Sequence, residues 1–198
     1  AKDNDGRTPL IWASYDGNTV TAEMLIEKGA YLEAKNKFGS TPLICASITG
    51  RTDIAKMLIE NGANIEAKDD QGNTPLIWAT SIEGNTDTSK LLIENGANVE
   101  AKDNYGYTPL ILASRWGHTD TAKMLIENGA NIEAKNKDDR TPLIMACCGD
   151  HFDTAKMLIE NRANLEAKDK CDFTPLLWIT TLFIKMLKHD LKRIKILV

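Results

Sequence analysis

Five glutamates recur along the chain, Glu33, Glu66, Glu100, Glu133 and Glu166. Paired carboxylates can perform acid–base hydrolysis when they face each other across a scissile bond. These stand 33 or 34 residues apart and each is followed two residues later by a Lys, so they read as a solvated charge ladder. The histidines are His118, His151 and His189, and none has a Ser, Cys or Asp at the spacing of a nucleophile–base set. The cysteines are Cys45, Cys147, Cys148 and Cys171, with no C-x-x-C pair and no His partners at ligand spacing. They read as reduced thiols of an intracellular, cytoplasmic protein, with the nucleus left open. The glycines form no phosphate-binding loop. No catalytic residue, metal or cofactor is expected.

The elements that carry these residues are set by a period. Thr-Pro begins at Thr8, Thr41, Thr74, Thr108, Thr141 and Thr174, in steps of 33, 33, 34, 33 and 33 residues. A fixed period of this size marks stacked repeats, in which each unit buries its apolar side against its neighbours. The opening reads Gly6-Arg7-Thr8-Pro9-Leu10 and the centre reads Leu25-Ile26-Glu27-Lys28-Gly29-Ala30, both recurring with small changes.

These motifs resemble those of ankyrin repeats. The resemblance covers nearly the whole chain. It implies an all-α solenoid of stacked helix-turn-helix units with β-hairpin-like loops, a single repeat domain over residues 1–198. The units divide as 3–35, 36–68, 69–102, 103–135, 136–168 and 169–198, the last a degenerate cap. The chain opens at Ala1-Lys2-Asp3, inside a unit, and so reads as a segment of a longer protein.

Within a unit the residues dictate the local structure. Gly106 supplies a positive φ at the polar tip, Thr108 caps the first helix and Pro109 takes its first position. Leu110, Ile111 and Ala113 face inward. Thr119 is expected to cap the second helix, whose buried stripe is Ala122, Leu125 and Ile126. Gly129 ends that helix. The family's Thr-Pro-Leu-His becomes Thr-Pro-Leu-Ile in five units, exchanging a hydrogen-bonding ring for aliphatic volume. Asp139, Asp150, Arg162 and Asp172 replace glycines of the pattern, so the C-terminal third is expected to be the least stable. The column Trp12, Cys45, Trp78, Leu112, Met145 and Trp178 reads as packing.

Composition narrows function. A net charge of −4 argues against a general nucleic-acid surface. Residues 182–198 hold five Lys or Arg and one Asp, at helical spacing with Ile184, Leu187, Leu191 and Ile194. That tail reads first as the closing helix of the stack, and second as a basic amphipathic helix for a membrane surface or a partner.

The resemblance implies a non-enzymatic scaffold that binds another protein through hairpin tips and the exposed side of the first helix. Carried over by position, those places are Asn4, Asp5, Arg7, Tyr15 and Asp16, then Lys37, Phe38, Ser40, Ile48 and Thr49. The third unit gives Asp70, Gln71, Asn73, Ser81 and Ile82. The fourth gives Asn104, Tyr105, Tyr107, Arg115 and Trp116, and the fifth Lys137, Asp138 and Arg140. These places vary between units while the framework does not. Phe38, Tyr105, Tyr107, Arg115 and Trp116 are of the types that most often anchor interfaces. A monomer is expected. The alternative is a regulatory or tethering segment of a larger enzyme or channel.

Overall fold

The computed structural model describes residues 2–81 and 84–180. Five helix pairs follow one another: α1 (Pro9–Asp16) and α2 (Thr19–Glu27), α3 (Pro42–Ile48) and α4 (Thr52–Glu60), α5 (Pro75–Ala79) and α6 (Thr86–Glu94), α7 (Pro109–Trp116) and α8 (Thr119–Glu127), α9 (Pro142–Cys148) and α10 (Phe152–Glu160). Residues 175–180 are helical again, and there is no strand among the described residues. The amphipathic tail and Ile82 lie outside the described residues.

Each first helix begins where Thr-Pro predicts. The hydroxyls of Thr8, Thr41, Thr74, Thr108 and Thr141 accept the N–H of the residue three on, each at 3.3 Å, and Pro follows at the first position. Leu10, Leu43, Leu76, Leu110 and Leu143 are at most 1% exposed, and so are Ile11, Ile44, Ile77, Ile111 and Ile144. The Ile that replaces the family's His is therefore fully used in packing. Burying a side chain of this size stabilises by about 1.5–3 kcal/mol.

The second helix departs from expectation at its start. The capping place before α8 is taken by His118, which makes no side-chain cap bond, and Thr119 is already inside the helix. Its hydroxyl reaches sideways instead, to Thr154 of the next unit at 2.7 Å. Thr52–Thr88 and Thr86–Thr121 repeat the link at 2.7 and 2.8 Å. Thr88, Thr121 and Thr154 are buried, so the polar look of these helices is a row of satisfied hydroxyl pairs between units. At the other end, Ala130 N–H bonds Leu125 C=O and Gly129 N–H bonds Ile126 C=O, closing α8 as a Schellman motif at φ +86°.

The extra residue of the third unit falls between Ala79 and Thr86 in the sequence, and α5 is the shortest of the ten helices named above, with five residues. The main helix contacts join partners within a unit or successive units, α1 with α3, α2 with α4 and so on to α8 with α10. Joints between units are also polar. Glu33, Glu66, Glu100 and Glu133 each accept a backbone N–H one unit on, from Asn64, Asn98, Asn131 and Asn164, at 2.7–2.8 Å. Lys2, Lys35, Lys68 and Lys102 donate to the carbonyls of Lys35, Lys68, Lys102 and Lys135. The ladder expected to be merely solvated is thus a set of clasps.

Candidate functional site

The tips are built from short turns that hold one another in a row. In each, an Asp or Asn side chain accepts two backbone N–H groups; Asp103 takes those of Tyr105 and Tyr107 at 2.8 Å. Successive tips are tied by one backbone bond, Lys37 N–H to Asp5 C=O at 2.8 Å, then Asp70 to Phe38, Asn104 to Gln71, Lys137 to Tyr105 and Lys170 to Asp138. This fixes the spacing of the variable side chains between the bonded atoms. The turns between helices are fixed as well. His118 Nε2 lies 2.7 Å from Ser81 C=O and His151 Nε2 lies 2.9 Å from Arg115 C=O, so both rings bridge to the preceding unit. The His151 ring packs against Gly117, which at φ +75° has neither the conformation nor the space for a Cβ.

The tryptophan column is tied to the tips. Trp12, Trp78 and Trp178 donate their indole N–H to the second oxygen of Asp3, Asp69 and Asp169, at 2.9, 2.8 and 3.2 Å. Where the column holds Cys45 or Met145, with no such donor, the tip residue is Asn36 or Asn136. Asp103 beside Leu112 breaks that pairing. The backbone N–H of Arg7 holds the Asp3 carboxyl below its usual range, with help from Trp12 and Asp5. Burial opposes the charge on Asp169. The N–H groups of Phe173 and Cys171, the Trp178 indole and the Arg140 guanidinium outweigh it and hold that carboxyl low.

Most of the expected binding residues fall into two patches. The first is a concave pocket of about 400 Å³ on units 1–3, lined by Tyr15, Lys37, Phe38, Ile48, Asp70 and Gln71. Arg7, Ile11, Cys45 and Trp78 also line it, with Asn36, Ser40 and Asp69; Cys45 belongs to the column read as packing, and so does Trp78. Its place beside the face is encoded in the column's period, but which side of the column is open is not. Tyr15 and Phe38 stay 46% and 54% exposed. Lys37 Nζ sits 2.6 Å from Asp5 and 5.1 Å from the Phe38 ring centre, which holds Phe38 in place. Burial pushes the Cys45 thiol up to about 12, so this thiol is wall rather than nucleophile. Burial likewise lifts Cys147, to about 11.

The second patch is on unit 4. Arg115 lies 5.6 Å from the Tyr107 ring centre and 5.4 Å from that of Trp116, and donates to the Tyr107 hydroxyl at 3.2 Å. Tyr105 is 58% exposed and Trp116 39%. Tyr107 is different, because its ring also packs on the apolar clusters around Leu112 and Met145. Asn104 spends its amide on Asp70 C=O at 3.2 Å. Arg140 turns toward the sixth unit, 3.4 Å from Asp169 and 5.1 Å from the Trp178 ring centre. Lys137 remains exposed at its tip.

Among the described residues no group of three His, Cys, Asp or Glu is placed to hold a metal ion, and no helix is long and apolar enough to cross a membrane. A family model described as ankyrin repeats, in three copies, matches residues 1–69 and 65–136, and one described as ankyrin repeat matches residues 138–170. A comparison with curated proteins finds no match. With its helix pairs, tied tips and repeated Thr-Pro-Leu caps, the chain belongs to the ankyrin-repeat family, whose repeats are in general modules for binding other proteins.

Proposed function

We propose that this chain is a non-catalytic binding module acting as a monomer, and that it takes a partner protein on the concave face through the two patches of units 1–4. The supporting observation is one of placement. Tyr15, Phe38, Tyr105 and Trp116 are left open to solvent beside Lys37 and Arg115, while the repeated Leu and Ile of the same helices are buried. Exposed aromatics held by neighbours bind at low ordering cost. The free cysteines suit a reducing compartment, and an intracellular location is part of the same reading.

The test is affinity capture with the wild-type chain and a variant carrying Tyr105→Ala and Trp116→Ala. Tyr107 is changed only to Phe, because its ring supports two apolar clusters. The variant should keep its thermal midpoint within a few degrees and lose a protein that the wild type retains. Equal retention by both would overturn the assignment of the face.

A further inference from the structure

We infer that the partner presents an extended segment with one large apolar side chain for the pocket of units 1–3 and, five or six residues away, an acidic side chain for Arg115. This rests on the concave-face reading above and goes further, since it fixes the chemistry and register of what is bound.

Arg115 is the cation of the face that is held but not neutralised. Two rings and one hydroxyl position its guanidinium, and no carboxylate reaches it among the described residues. Of the other basic groups of the face, Lys37 and Arg7 are engaged with Asp5, at 2.6 and 3.7 Å, and Arg140 with Asp169, while Lys137 stands exposed at its tip with no ring beside it to hold it among the described residues. A planar guanidinium held in this way suits a carboxylate, which it can meet with two parallel N–H bonds.

The pocket wants a different group. Phe38, Tyr15, Ile48 and Trp78 make its walls mainly apolar, and about 400 Å³ is room for a large side chain. On its rim Asp70 has a carboxylate with no ion pair and no hydrogen bond among the described residues, and it lies on the side toward unit 4. An acidic group adjacent to the anchor would meet that charge. An acidic group farther along reaches Arg115 instead.

The distance sets the register. From Phe38 and Ile48 of unit 2 to Arg115 of unit 4 is two units, about 16–20 Å at the usual helix spacing. An extended chain covers that in about five or six residues at 3.3 Å each. A helix would need about eleven to thirteen at 1.5 Å. A groove-bound helix also wants a continuous apolar stripe. Here Asp70 and Gln71 interrupt it.

The experiment uses fluorescein-labelled sixteen-residue Gly/Ser peptides with one Trp and one Glu, separated by two to thirteen positions in both orders. Anisotropy is read at low salt with the whole chain, with Arg115→Gln and with Phe38→Ala. Affinity should peak at a separation of five or six. Replacing Glu by Gln in that peptide should cost about fivefold on the wild type and nothing on Arg115→Gln, while Phe38→Ala should weaken all peptides alike. A flat dependence on separation, a peak at eleven to thirteen, an equal Gln penalty on both proteins, or no binding by any peptide would each overturn the inference. A captured partner that is lost on the Tyr105/Trp116 variant but kept in full by Arg115→Gln would leave the face standing and remove only the acidic register.

Discussion

Asp169 shows how a single side chain reports on the joint around it. Its side chain is 1% exposed, and two backbone N–H groups, the Trp178 indole and Arg140 all address it. Hydrogen bonds to a charged group contribute about 1.5–3 kcal/mol, so Asp169→Asn should cost about 2 kcal/mol at neutral pH. The folded carboxyl is held below its unfolded value, so this stabilisation is fully present above about pH 3.9 and fades as the pH falls through the folded value. Urea midpoints of wild type and variant should therefore differ at pH 7 and converge as the pH falls through the folded value. Constant separation down to low pH would show that packing, not charge, is lost. The pairing of Trp with Asp, and of Cys45 or Met145 with Asn, is visible in the residue types alone. Its meaning is not, because nine residues of sequence do not say that an indole folds back on a tip.

At the scale of the helix pair, the caps of the first helices were legible because Thr-Pro allows one geometry. The second helices misled. A hydroxyl near a helix start can cap its own helix or reach a neighbour, and the partner of Thr119 is 35 residues away. Each single change Thr52→Val and Thr88→Val should cost about 1 kcal/mol, because the hydroxyl left behind loses its partner. The double variant should cost no more than either alone, and a double-mutant cycle by denaturant unfolding checks the coupling. Simple additivity would mean that the 2.7 Å contact carries no energy. The helix ends were legible too. The four non-glycine residues at positive φ among the described residues are Asp139, Asp150, Arg162 and Asp172, the four that break the glycine pattern. Arg162 stands at φ +67° where its counterparts are Gly29, Gly62, Gly96 and Gly129. Arg162→Gly should raise stability by about 1 kcal/mol in urea unfolding.

Across the molecule, contacts run between neighbours, so opening can begin wherever the local sum is weakest. All four strained residues lie in units 5 and 6. Backbone amides of α9 and α10 should therefore exchange with solvent sooner than those of α3, α4, α7 and α8, as read by native-state hydrogen exchange. Uniform protection along the stack would show that the glycine losses are compensated by packing. Architecture was readable at this scale because one pattern is written six times. The two-patch face was readable only as a row of variable positions. Arg140 sits in that row yet faces the next unit, since orientation depends on what Trp178 and Asp169 offer it across the joint.

The clasps of Glu33, Glu66, Glu100 and Glu133 hold main-chain N–H groups, and those of Lys2, Lys35, Lys68 and Lys102 hold main-chain carbonyls. Every residue except proline carries both groups, whatever its side chain. Such a junction tolerates duplication or exchange of whole modules during evolution, because the successor needs only a backbone to be gripped. Variation is then free to accumulate on the outward loops, and new ligands can be acquired without relearning how to assemble.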